Sequence, residues 1–302
     1  MHKTIKGKQF TWYHFPQLEE ADFEMLEKKF KFHPLDFDDL RVEANLQKVD
    51  VYKYYLFSIL NIPIIDKALQ RVVKQTLAIF IGKSYVVTAT REPIESVDRF
   101  FARAVRSSGL RRDALGKSTG YFLYKLFDYL SRDKNIVLKE LVHETEQVEV
   151  EMYERHSKLT TKRLSILRRN ILFLRHIIDP QRIIISQFIH ARKTFIPKTL
   201  EIYFDDVKDS LDGIWVVTEN LKNIVDGLSD VNEAFISHRT NQIIRILTVI
   251  SVVLLPPTLI TSYYGMNVQG LPFSENTGLI SLILLISLII SWLLIIGIDR
   301  RK

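Results

Sequence analysis

Asn241, Ile244, Thr248, Ser251, Leu255, Thr258 and Ser262 recur at alternating three- and four-residue spacings, which puts them on one face of a helix. That face carries one amide and four hydroxyls among apolar neighbours. Neutral oxygens in such a setting do one of two things. They pack a helix closely on another through small side chains and hydrogen bonds, or they line a wet passage where a hydrated cation meets acceptors that do not strip its water. Pro256 and Pro257 lie in the same stretch. Each lacks an N–H, so the carbonyls of Val252 and Val253 need water, a hydroxyl or a cation. The proline pair favours the passage. At the far end stand Tyr263, Tyr264, Gly265, Met266 and Asn267, in isolation an interfacial aromatic pair and an ordinary helix C-terminus.

Other chemistries are poorly served. Cysteine is absent, which excludes disulfides, thiolate nucleophiles and cysteine-ligated metals. His143-Glu144 lacks the second His of a zinc protease motif, the eight His are scattered, and neither a Walker-type glycine loop nor a nucleophile–base arrangement is present. An enzyme is therefore not expected. The 42 Lys and Arg exceed the 35 acids by only seven, and without a basic patch that excess does not indicate nucleic acid.

The elements that position the polar face are membrane spans. Residues 246–274 and 276–298 contain no charge, and Glu275 alone separates them. Spans over about 242–264 and 278–298 are each long enough for a hydrocarbon core of about 30 Å, with an outer loop at 265–277. Lys222, Arg239 and Arg245 precede or open the first span, and Arg300, Arg301 and Lys302 follow the second, whereas the loop has no Lys or Arg. The positive-inside rule puts both termini in the cytoplasm of a multi-pass protein of the cell (inner) membrane. No apolar run marks a signal peptide at the N-terminus.

Three regions are expected: a cytosolic α+β domain over 1–115, a long-helix stalk region over 116–240 and a transmembrane domain over 241–302. Residues 48–65 and 71–90 are rich in Val, Ile, Tyr and Phe and read as strands, with a hairpin at Gly82-Lys83; 18–31, 34–41 and a segment from Pro93 to about Ser107 read as short helices. Helical texture fills 121–153 and 162–190, with Pro180 between helical stretches and Asp179 placed to start the second. Ile214, Leu221, Leu228 and Phe235 then recur every seven residues, flanked by Leu211 and Val225. This coiled-coil-like stripe runs without proline into the first span, giving one helix from near 202 to about 264, roughly 90 Å long.

Tyr264-Gly265-Met266-Asn267, closing the first of two C-terminal spans, resembles the signature of the CorA family of magnesium channels. The similarity extends through Thr240-Asn241, Arg245-Ile246-Leu247-Thr248, Pro256 and Thr258. It continues back through Asp226-Gly227-Leu228 and Tyr203-Phe204-Asp205-Asp206 to His33-Pro34-Leu35, Asp38-Asp39, Lys48-Val49 and Tyr55-Leu56.

The resemblance implies a funnel-shaped homopentamer in membrane lipid, taking up Mg2+, and also Co2+ or Ni2+, down its electrochemical gradient. Gly265, Met266 and Asn267 would form the selectivity filter. Asn241, Ile244, Leu247, Leu255, Thr258 and Ser262 would face the pore, Leu247 standing where the spacing selects Thr248. Asp39, with Asp38 beside it, would meet Asp206 of a neighbouring copy, so that cytosolic Mg2+ bound between them holds the channel closed. Family members often carry an acid soon after the motif, whereas here Glu275 is the only loop acid, and a ring of it would attract cations. The alternative is a Zn2+ transporter of the same fold, with or without proton coupling; Met266 favours magnesium, because zinc-type relatives commonly vary that position.

Overall fold

The structure is a computed structural model describing residues 2–42, 46–154, 157–191, 193–267, 271–273 and 276–299, with side chains as far as Leu293. It divides into two compact units, Met1–Ser229 and Asp230–Lys302.

The first unit is built on a six-stranded sheet of β1 (Lys3–Lys6), β2 (Thr11–Phe15), β3 (Lys48–Val51), β4 (Tyr55–Asp66), β5 (Arg71–Gly82) and β6 (Tyr85–Thr90), in the order β1-β2-β6-β5-β4-β3. Only the β2–β6 pair is parallel; β4 and β5 pair antiparallel along their whole length, and β5 turns into β6 across Lys83 and Ser84. Both faces of the sheet are covered, which explains why β4 and β5 read as nearly continuous apolar runs rather than alternating ones. On one face, α1 (Glu20–Phe30) and α2 (Pro34–Val42) pack Phe23, Leu26, Phe37 and Leu40 against Phe15, Phe57, Ile59 and Phe80. On the other, Trp12 stacks edge-on against Phe101 of α3 (Glu95–Arg106), 4.8 Å between centroids, and lies equally close to Phe122 of α5 (Thr119–Glu154). Between these two helices runs the short α4 (Ser108–Leu115).

Polar groups buried on this second face are paired with one another. Trp12 Nε1 donates to Thr88 Oγ1 at 2.9 Å, and the His14 ring lies between Thr88 Oγ1 and Asp98 of α3, at 2.9 and 3.2 Å. Burial lowers the His14 pKa, against the opposing pull of Asp98.

The helix α6 (Lys158–His190) passes through Pro180 without a break, so Asp179 lies inside a helix and does not start one. The physical reason is tertiary support. Proline leaves His176 O without its intrahelical donor, but Gln47 Nε2 ties the adjacent turn down by donating to Ile177 O at 2.8 Å. Ile177, Ile178, Ile184 and Ile185 are all buried on either side of the proline, holding the helix together across it.

A single turn of 3-10 helix (Lys198–Leu200) leads into α7 (Glu201–Tyr264), 64 residues long and close to the sequence expectation. Leu211, Ile214, Leu221, Val225 and Leu228 of its stripe are buried within the first unit. α6 supplies the cover, and a ladder of ion pairs fixes the register: Arg168–Asp226 at 3.0 Å, Arg175–Glu219 at 2.7 Å, and Arg182–Asp212. Both sets step by seven residues in opposite directions, so the two helices run antiparallel along one heptad seam. Phe235, the last residue of the expected stripe, is 38% exposed.

In the second unit, α7 continues to Tyr264 and α8 covers Thr277–Asp299. The segment Lys198–Tyr264 is long and apolar enough to cross a membrane. Ile246, Leu247, Leu255 and Leu259, which together span more than half of its circumference, are all more than half exposed. A helix apolar all round with so little cover needs lipid or further helices around it.

Candidate functional site

All seven residues of the predicted polar face, and Leu247 beside them, are exposed along α7. The covered positions of the same stretch are Val249, Val253, Pro256, Pro257, Ile260 and Tyr264, with Val253 the most deeply buried of them. At about 100° per residue, their mean direction lies about 160° from that of the face comprising 241, 244, 248, 251, 255, 258 and 262. The second unit therefore uses one side of α7 for its internal packing and leaves the amide- and hydroxyl-bearing side open. α8 has a stripe of its own: Ile280, Leu284, Ser287 and Ser291 are less exposed positions at three- and four-residue spacing, and Ser291 is buried.

Both threonine hydroxyls of the open face are locally anchored. Thr248 Oγ1 donates to Ile244 O at 2.8 Å, and Thr258 Oγ1 donates to Leu254 O at 2.7 Å. The donor is thus spent on the helix's own backbone while the oxygen lone pairs stay available, so each threonine presents an acceptor. α7 stays helical through Pro256 and Pro257. Its end is capped by Gly265 N donating to Thr261 O at 2.9 Å, after which Met266 and Asn267 are exposed. Glu275 lies outside the described residues.

Of the expected sensor acids, Asp38 and Asp39 lie on α2 and Asp206 on α7, and among the described residues no ion pair links the two helices through them. Asp206 is exposed near the start of α7, close enough to Tyr124 of α5 to act on its phenol electrostatically. Asp38 is exposed on α2. Asp39 is engaged: its Oδ2 sits 2.6 Å from Lys48 Nζ, and the same ammonium lies 2.6 Å from Asp50 Oδ2. The two carboxylates raise the Lys48 pKa, outweighing its partial desolvation. One turn before Asp39, the fully buried Asp36 accepts from Tyr52 Oη at 2.7 Å and from Tyr55 Oη at 2.6 Å. Burial pushes the Asp36 carboxyl up despite those two donors, and it drives the Tyr52 and Tyr55 phenols well above the usual range. Among the described residues no group of three or more His, Asp or Glu is arranged to hold a metal within one chain.

Sequence reasoning missed Lys48 as part of this site. The signal was present in the alternation Lys48-Val49-Asp50, which on a strand points the first and third side chains to one face.

A profile of the family described as CorA-like Mg2+ transporter protein matches residues 7–301. The cobalt/magnesium transport protein CorA of Thermotoga maritima is 29% identical over 263 residues, covering 87% of this chain and 74% of the relative. Among solved structures, the complete CorA magnesium transporter of Methanocaldococcus jannaschii superposes with a TM-score of 0.77 at 17% identity, over 99% of this chain and 93% of that one. The cytoplasmic domain of ZntB from Vibrio parahaemolyticus shares the fold over 76% of this chain and 89% of its own, with a TM-score of 0.63 at 13% identity. The apolar helix that ends in Gly265-Met266-Asn267 and the α+β unit before it thus have a common explanation: the chain belongs to the CorA-like Mg2+ transporter family.

Proposed function

We propose that this chain carries Mg2+, and also Co2+, across a membrane through a pore formed by several copies of α7, five in the reading that the family resemblance supports. The observation that carries this is the direction of the polar face. It is left open on the side of α7 opposite its internal packing, as a helix requires if it turns one side to water and the other to its neighbours. Both α7 and α8 cross the membrane in this reading, with both termini on the cytoplasmic side of the cell (inner) membrane. The first unit comprises the α+β domain and the stalk helices.

Mg2+ gives up water reluctantly. A ring of Asn267 amide oxygens at the outer mouth, behind Gly265 and Met266, accepts hydrogen bonds from its hydration shell without stripping it. Carboxylates there would hold the ion longer and slow its release. Along the pore, Asn241, Thr248, Ser251, Thr258 and Ser262 continue the acceptor path, and Ile244, Leu247 and Leu255 close it by dewetting. Membrane potential drives influx at about 2.3 kcal/mol per charge per 100 mV, about twice that for a divalent ion. Asp39, Asp38 and the Asp206 of an adjacent copy hold regulatory Mg2+: facing carboxylates repel until a cation neutralises them, so loss of cytosolic Mg2+ loosens the assembly.

Liposomes holding purified protein and a Mg2+-sensitive dye test the reading. Wild type takes up Mg2+ under an inside-negative potential, and Asn267→Ala abolishes or strongly slows it. Absence of flux refutes transport. Flux with Zn2+ but not Mg2+, rising with a proton gradient, points instead to the zinc-transporting branch of this fold.

A further inference from the structure

The carboxylate that would receive regulatory Mg2+ already has a cation. Lys48 Nζ sits 2.6 Å from Asp39 Oδ2 and 2.6 Å from Asp50 Oδ2, and the three side chains are between a quarter and a little over a third exposed. They are therefore neither sealed in the core nor free in solvent. The ammonium is well placed for both acids: it lies over the Phe57 ring, and the Lys48 backbone carbonyl accepts from Ser58 Oγ at 3.0 Å. Asp39 comes from α2, Asp50 and Lys48 from β3, and the buried Asp36 stands behind them. Two carboxylates thus converge on one positive charge, while Asp36 is taken up by Tyr52 and Tyr55 and feels Lys48 only electrostatically.

We infer that Lys48 is a tethered counter-ion that competes with Mg2+ for Asp39 and sets the cytosolic Mg2+ concentration at which the channel closes. The inference rests on the sensor reading above and deepens it. With Lys48 in place, the mutual repulsion of Asp39 and Asp50 is already relieved, so an arriving Mg2+ gains less than it would from bare carboxylates. Asp50 holds Lys48 back from pairing with Asp39 alone. The sequence therefore contains both a competitor for the sensor and a restraint on that competitor. Partly exposed ion pairs shift equilibria by modest factors, which suits a threshold that must be crossed within a physiological range.

The experiment measures the Mg2+ concentration that half-protects the detergent-solubilised protein from protease, for wild type, Lys48→Met, Lys48→Arg, Asp50→Asn, Lys53→Met and Asp39→Asn. Lys48→Met keeps the apolar stem and is expected to lower the midpoint about fivefold. Lys48→Arg keeps the charge and stays near wild type. Asp50→Asn moves the midpoint the other way, a reversal that a general loss of folding would not produce. Lys53, stacked on Tyr54, is the nearby lysine outside the cluster, and its removal should change nothing. An unmoved midpoint in Lys48→Met overturns the inference, as does an equal drop in Lys53→Met. Protection that survives Asp39→Asn overturns the sensor reading along with it. Protection that depends on Asp39 but ignores Lys48 overturns the Lys48 inference alone.

Discussion

Replacing Lys134 with Met is expected to stabilise the protein in mild acid and to destabilise it in alkali. Lys134 lies on α5, only 5% exposed, and its Nζ donates to Gln181 Oε1 of α6. Desolvation brings its pKa down from 10.5 to about 7. In the unfolded chain the amine binds its proton below about 10.5, and in the folded chain only below about 7. The unfolded state therefore binds more protons across that window, and stability rises with pH through it. At about 1.4 kcal/mol per pH unit, the burial costs on the order of 4 kcal/mol at pH 7 and below, and about 1 kcal/mol near pH 9.5. Met removes that cost but leaves Gln181 Oε1 without its donor, a loss of about 1–3 kcal/mol at any pH. The net gain is about 2 kcal/mol at pH 6, reversing to a loss of about 1 kcal/mol at pH 9.5. With a urea slope of about 1–3 kcal/mol per molar, the midpoint of Lys134→Met lies about 1 M above wild type at pH 6 and slightly below it at pH 9.5. Urea unfolding of detergent-solubilised protein, followed by tryptophan fluorescence with the fully buried Trp12 among the reporters of this unit, measures both. A difference between the two proteins that is the same at both pH values would refute the reasoning, because it would mean that the buried amine does not titrate between them.

Three further outcomes follow from the same unit. Gln47→Leu removes the donor to Ile177 O and the acceptor used by Asn61 N and Gln181 Nε2; it should cost about 2–4 kcal/mol and raise amide hydrogen exchange in α6 around Pro180. Gly120→Ala would set a Cβ 2.5 Å from Phe195 O and 2.9 Å from Leu200 Cδ1, a clash with backbone that should lower the unfolding free energy by more than about 2 kcal/mol in the same urea assay. Leu221→Ala opens a cavity in the α6–α7 seam, where Leu221 is 5% exposed; a cost of about 2–5 kcal/mol is expected, and an exposed neighbour changed in parallel, Val216→Ala, should cost far less.

The signals legible in the sequence are periodic ones. The seven-residue recurrence of Ile214, Leu221 and Leu228 locates α7 and its buried side, and the three-four spacing from Asn241 to Ser262 locates a face that stays open. Periodicity works there because a helix fixes which residues share a side before any partner is known. What escapes depends on residues far apart in the chain. Pro180 reads as a break, and its helix survives because its apolar side is buried before and after the proline and because Gln47, 130 positions before Ile177, ties down the adjacent turn. Lys134 looks like an ordinary solvated lysine in a charged helix, and it is buried because α5 packs on both the sheet and α6. Arg168, Arg175 and Arg182 repeat every seven residues, but the repeat has no meaning until Asp226, Glu219 and Asp212 are set against it. Lys48 escapes for a related reason: its partners Asp39 and Asp50 lie on different elements, and a single lysine does not indicate which acid it serves.

The Arg168, Arg175 and Arg182 ladder has a mechanical consequence. Sliding α7 past α6 by one heptad, about 10 Å, would restore two of the three charge pairs with new partners and return the Leu and Ile stripe to register. A slide of a single turn offers a new acid to only one of the three arginines, Asp230 to Arg168 or Asp209 to Arg182, and lifts the apolar side chains out of their seats. The seam is notched: it resists gradual creep, and the two rods can bow or lean together far more readily than either can glide along the other.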